Sequence, residues 1–347
     1  MIVVKFSIVL LLITIVRALR IPSKPGGILL MDHLNINHEA GRHDLLKEFY
    51  FETLGLAIDP RKEENIAKNK KGLWANAGIT QFHLSEGKTA QVLDGEITIA
   101  YPSGAFQHLR NKLQLASKGI LKESKYDFTC INPEEYIVTD MWGSKFRLVA
   151  DDSAVDDRGI QPGPASKGSL IQDLNFNVPY DASLKGIARY YEYIFKAPIF
   201  ELNDKNVKIS MSPFQTLTFT RGTKTDHDHS ELEIDEKRGD VIANHGAHIS
   251  LYVKDLPACY QRASELGGIF VNKRFKRQAF TLEEAIDQCM FRVIDIVDPK
   301  NNDGAPIVRL EHEVRSFINK DKTKYKSCPL YQEVVDLILD PPPFPTL

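Results

Sequence analysis

Imidazoles and carboxylates gather at three places in this chain, and each grouping is of a kind that can ligate a divalent ion. The densest is Asp226-His227-Asp228-His229-Ser230-Glu231, which lies in a long polar stretch with acidic neighbours and reads as a solvated loop. The second is His245-x-x-His248. It enters a strand, where residues three apart face opposite sides, so only His248 points inward. The third is a pattern that occurs twice: Asp32-His33-Leu34-Asn35-Ile36-Asn37 and Gln172-Asp173-Leu174-Asn175-Phe176-Asn177 put His33 and Asp173 at matching points of two copies.

The elements that must position these groups also repeat. Each copy is a strand feeding an amphipathic helix. In the first, Leu45, Leu46, Phe49, Tyr50 and Leu54 form one apolar stripe and Gly55 closes the helix. In the second, the helix runs from Leu184 to Phe195. Between them, residues 73–84 alternate as strands, Glu96–Tyr101 is a strand, Ala105–Leu115 carries Phe106, Leu109 and Leu113 at helical spacing, and strands follow to a turn at Asp140-Met141-Trp142-Gly143 and a closing strand to Leu148. After the second copy come strands near Lys208 and Thr216, a strand at His248–Val253, a helix at Ala258–Leu266, and strands at Gln288–Val297 and Pro306–Glu311.

The chain of 347 residues suits two domains. With 44 basic against 46 acidic side chains, no phosphate-tracking surface and hence no nucleic-acid partner is indicated. Cys130, Cys259, Cys289 and Cys328 show no C-x-x-C spacing, so the core must hold the fold. Lys5 followed by the apolar run Phe6–Val16 and by Val16-Arg17-Ala18 has the form of a cleaved signal; the run is shorter than the ~20 residues of a membrane span. Entry into the secretory pathway or an organelle is the expectation, extracellular or plastid, with an uncleaved anchor as the alternative. The chain thus divides into a targeting segment at 1–20, a first unit at 26–151, an Asp/Gly/Pro/Ser-rich linker at 152–168, a second unit at 169–316 and an irregular extension at 317–347.

The strand with Asp-His-Leu-Asn-Ile-Asn, the helix ending Phe-Tyr-x-x-x-Leu-Gly and the Asp-x-Trp-Gly-x-x-Phe-x-Leu turn and strand resemble the vicinal oxygen chelate superfamily of glyoxalase, bleomycin- and fosfomycin-resistance and extradiol-dioxygenase proteins. The second copy ends similarly, Asp-Pro-Lys-Asn-Asn-Asp-Gly preceding Ile307-Val308-Arg309-Leu310. The resemblance implies an α+β fold of tandem units, each of two βαβββ modules whose curved mixed sheets enclose a cleft. It also implies inward-facing metal ligands on the first and last strands of modules. Those positions fall on His33, His83, Glu96 and Arg147 in the first unit, and on Asp173, Thr218, His248 and Arg309 in the second, with Glu311 nearby.

His33, His83 and Glu96 are a workable set for Fe, Mn, Ni or Zn, while Asp173 and His248 are a weaker one. Arg147 and Arg309 cannot ligate a cation, and suit an ion pair or an organic anion. The implied function is therefore a metal-dependent lyase, isomerase or dioxygenase on a small oxygenated metabolite, with Glu96 the only carboxylate there to act as base. The alternative is a metal-free protein that sequesters a small anionic or aromatic ligand through Arg147 and Arg309; under either reading the expected state is a monomer or homodimer. A ligand-free tandem scaffold is the third reading. Trp74 and Trp142 read as core and turn packing.

Overall fold

The computed structural model describes residues 26–68, 72–153, 166–222, 231–234, 241–244, 246–301 and 304–316, with the side chains of 231–234 and 241–244 left aside. The targeting segment at 1–20, the middle of the linker, His227, His229, His245, Cys328 and the extension at 317–347 lie outside them. Among the described residues no helix is long and apolar enough to cross a membrane.

Four βαβββ modules follow one another. The first is β1 (Ile28–Glu39), a helix that is α over His43–Leu46 and π over Lys47–Thr53, β2 (Ala57–Ile58), β3 (Leu73–Ala77) and β4 (Thr80–Gly87). The second is β5 (Gly95–Tyr101), the helix Phe106–Ala116, β6 (Asp127–Asn132), β7 (Glu135–Thr139) and β8 (Lys145–Ala150). The third is β9 (Leu170–Val178), the helix Leu184–Phe195, β10 (Ile199–Leu202), β11 (Asn206–Ser212) and β12 (Gln215–Arg221). A hairpin of β13 (Glu231–Ile234) and β14 (Val241–Asn244) precedes the fourth: β15 (His248–Val253), the helix Leu256–Glu265, β16 (Ile269–Phe270), β17 (Met290–Val297) and β18 (Pro306–Ser316).

The expected stripe on the first helix is wholly buried, and Gly55 follows it at φ +66°. Phe49 packs edge-on against Phe146 at 5.2 Å, and Tyr50 against Phe82 at 5.3 Å. Two features exceed the sequence expectation. A helix at Leu282–Gln288 is opened by a capping box, in which Thr281 Oγ1 accepts from the Glu284 amide while Glu284 accepts from the Thr281 amide. β18 also runs five residues beyond Glu311, to Ser316.

The modules pair across the units. One eight-stranded mixed sheet has the order β16-β17-β18-β15-β1-β4-β3-β2, joining the fourth module to the first through the antiparallel pair β1·β15. The other has the order β10-β11-β12-β9-β5-β8-β7-β6, joining the third to the second through β5·β9. The stretches 26–151 and 169–316 therefore do not each own a sheet; each contributes half of both. Gln215 ties the two sheets, its side chain accepting from the Met31 amide and donating to the Met31 and Ile171 carbonyls. Gly78 bridges directly to Leu170.

Candidate metal centre

Register decides which side chains share a face. Along β1, His33 lies opposite Gln81 of β4 and Ser250 of β15, and Asn35 lies opposite His83 and His248. β18 adds Glu311 beside His248, Glu313 beside Ser250 and Arg315 beside Tyr252. Alternation thus lines one face with His33, His83, His248, Ser250, Glu311 and Glu313. A β-bulge supplies one more. Met31 faces Leu251 and His33 faces Ser250, so Asp32 is the extra residue on its strand, and its carboxylate Oδ2 meets His33 Nδ1 at 2.8 Å.

The ligand atoms of His33, His248 and Glu313 all lie within 4.8 Å of one another, each from a different strand and each side chain buried. Asp32 holds His33 by Nδ1, which leaves Nε2 for an ion and fixes the ring. Glu313 accepts from Arg292 and from Arg315 (Nε, 2.6 Å), and Arg315 reaches Asp32 at 3.3 Å. Two guanidiniums here engage three of the roughly four lone-pair sites of a carboxylate, so Glu313 retains one for a metal.

The protonation states of His248 and Glu313 fit ligation, which needs neutral imidazole and ionised carboxylate. Burial pushes His248 well below the ordinary histidine range, and Arg292 adds to this. Burial takes His83 down to about 3, with His33 beside it acting the same way. Burial alone would raise Glu313, but Arg315 and Arg292 hold its carboxyl well below the usual range. Among the described residues, three buried atoms of the surroundings have no hydrogen-bond partner: Asp32 Oδ1, Ser250 Oγ and Arg292 Nε. Such groups are costly when unmet and are places where a ligand gains most.

His83 lies in the same layer, outside the triad. Its Nδ1 meets Asn35 at 2.5 Å and its Nε2 meets Ser85 at 3.4 Å, while its ring stacks on Trp74 at 4.0 Å. Trp74 also touches the His33 ring edge-on at 5.2 Å. This tryptophan therefore walls the centre and is more than core packing. Trp142 is different: it closes its turn, stacked on His38, with the Asp140 carboxylate accepting from the amides of Trp142, Gly143 and Ser144.

Glu96 is elsewhere. Because the second module pairs with the third, Glu96 lies in the other sheet opposite Asn175, and its carboxylate accepts from Arg147 Nε at 2.6 Å. Arg147 also binds Glu135. Asp173 accepts from Thr216 at 2.5 Å and Thr218 at 2.8 Å, and burial pushes its carboxyl up despite Lys208 and those hydroxyls. Asp173 and His248, grouped in the second unit by sequence, are in different sheets. Arg309 is exposed near the start of β18 and pairs with Asp295 at 2.9 Å, so it does not share the floor with Arg147. The closing-strand position of the fourth module is taken by Glu313, which the sequence reading missed. The available signal was Glu311-His312-Glu313-Val314-Arg315, an alternation that continues the strand with charges on one face.

No family model and no curated relative matches the chain. Among solved structures, a provisionally assigned dioxygenase of Bacillus subtilis is similar with TM-score 0.50 and 12% identity, over 84% of this chain and 86% of that one. Glyoxalase I from Zea mays gives TM-score 0.44 and 12% identity, over 82% and 92%. The 2,3-dioxygenase LapB from Pseudomonas sp. KL28 gives 0.28 and 12%, over 89% and 97%. At 12% identity the likeness to the first of these is one of fold.

Proposed function

The chain has the vicinal oxygen chelate fold, and on that premise we propose that the face shared by its first and fourth modules binds a divalent metal through His33, His248 and Glu313 and acts enzymatically on a small oxygenated metabolite. One observation carries the reading: three suitable ligand atoms from three strands converge within 4.8 Å in a buried layer. Two imidazoles and one carboxylate with further positions open form the donor set of non-haem Fe(II) sites, and the set also suits Mn, Ni and Zn. When bound, such an ion polarises substrate oxygens as a Lewis acid.

The chain's own groups have definable tasks. Asp32 orients His33, Arg292 and Arg315 keep Glu313 ionised, and the layer of Trp74 and His83 excludes water on one side. Glu311, bound by Asn272 at 2.8 Å and by Arg292, is the carboxylate beside the triad that is not needed as a ligand. It takes the place that Glu96 held as base in the sequence reading. Metal-free sequestration through Arg147 and Arg309 has weaker support, since both guanidiniums rest on carboxylates of the chain, in different sheets.

Elemental analysis of the purified protein after incubation with Fe(II), Mn(II), Ni(II) or Zn(II) tests the reading. One equivalent of ion per chain is expected. A protein that stays free of all four ions refutes it.

A further inference from the structure

We infer that the ligand completing this centre is an anion bearing a carboxylate or a group of like charge, received at Arg292 and Arg315 beside the metal position; the inference rests on the metal reading above and deepens it.

Charge balance is the first argument. The ionic groups of the layer are the buried Asp32, Glu311, Glu313 and Arg292 and the part-buried Arg315, one negative charge in excess. Imidazoles bind metal uncharged, so a divalent ion turns this into one positive charge in excess. A buried net charge is expensive in a medium of low dielectric, and a single anionic ligand removes it.

A donor waits for that anion. Arg292 is 4% exposed and its Nε has no partner among the described residues, while its two terminal nitrogens serve Glu311 and Glu313. A guanidinium so placed is preorganised, because nothing must be displaced before its free N–H is used.

The covering loop carries the same sign. Phe275 lies against the Arg292 guanidinium at 3.9 Å and meets the His248 ring edge-on at 5.6 Å, and Asn272 is bonded to Glu311, so the segment from Asn272 to Phe275 lies across this face. Lys273, Arg274, Lys276 and Arg277 flank Phe275 within five residues, in a chain whose net charge is only −2. Cations clustered at one rim raise the local concentration of anions and their rate of entry.

The test compares lactate with propane-1,2-diol, which keeps the two adjacent oxygens and lacks the charge. Binding to the full chain is followed by fluorescence, after metal content has been measured. We expect the metal-loaded protein to bind lactate about tenfold or more tightly than the diol. Arg292→Gln should abolish the preference. Because that change leaves buried carboxylates unpaired and can prevent folding, the exposed double variant Lys273→Glu/Lys276→Glu is the companion: it should weaken lactate and leave the diol unchanged. Metal uptake with equal binding of the two probes, or a double variant that binds lactate like the parent, overturns the anion and spares the metal reading. Failure to take up metal overturns both.

Discussion

Arg147 and Glu313 hold the same place in two sheets. Each lies on the closing strand of a module, Arg147 opposite Thr98 and Glu313 opposite Ser250; Thr98 in turn faces Asp173, and Ser250 faces His33. The same register matches Thr218 to His83 and Glu96 to His248. One sheet therefore presents His33, His83, His248 and Glu313 where the other presents Asp173, Thr218, Glu96 and Arg147. A single backbone design thus groups two imidazoles and a carboxylate on one face and an internal ion pair of Arg147 with Glu96 and Glu135 on the other.

Metal stoichiometry should divide along that line. His33→Ala and His248→Ala should each remove bound ion, by tenfold or more in affinity, since each deletes one of three ligands. Glu96→Gln and Asp173→Ala should leave the stoichiometry at the parent's value, because both residues lie in the other sheet. Elemental analysis of the four variants decides: loss of metal in Glu96→Gln would place the centre where the sequence reading had it.

The two repeats were legible because each needs local signals only: the alternating strand, the helical stripe and the cap at Gly55. His33 and His248 were legible as inward positions for the same reason. Their partnership was not, since sequence order suggests that a unit closes on itself while β1 pairs with β15, more than two hundred residues away. Long-range pairing leaves no trace in periodicity. Glu313 was hidden by its chemistry: a run of Glu, His, Glu and Arg looks like a solvated end, and only the guanidiniums of Arg292 and Arg315, which come from β17 and β18, let the charges lie inside.

Trp74 should report the ion. It stacks on His83 and touches His33, whereas Trp142, the second tryptophan of the chain, packs at the Asp140 turn on His38. Addition of paramagnetic Co(II) should quench about half of the emission in the parent, nearly all in Trp142→Phe, and almost none in Trp74→Phe. Quenching that survives in Trp74→Phe would mean the ion binds away from this layer.

Gly78 should resist substitution. It has φ +56°, and a Cβ there would stand 1.6 Å from the Ser169 carbonyl oxygen, at the bridge to Leu170 where the two sheets meet. Gly78→Ala must shift backbone against backbone, with no flexible side chain to yield. A loss of about 3 kcal/mol or more in unfolding free energy is expected. Chemical denaturation measures it, and a change below about 1 kcal/mol would show that the sheets can part there without strain.

His312 gives the fold a pH dependence of known sign. It points from β18 into the core, away from Glu313; its Nδ1–H donates to the Leu310 carbonyl at 2.6 Å and its Nε2 accepts from the Tyr191 hydroxyl at 2.6 Å, an arrangement that the neutral ring satisfies. Burial holds it down at about 4, against 6.5 in the unfolded chain. The folded pKa is the lower of the two, so the unfolded state binds the proton first as pH falls. The contribution of this residue is thus complete above pH 6.5 and is lost progressively down to about pH 4, a difference of about 3 kcal/mol. Unfolding free energies of the parent and of His312→Asn, measured by denaturant between pH 7.5 and 4.5, isolate the effect from the other titrating groups. The variant should start less stable and fall less steeply, so that the curves converge toward the acid end; parallel curves would show that the core accepts the charged imidazole.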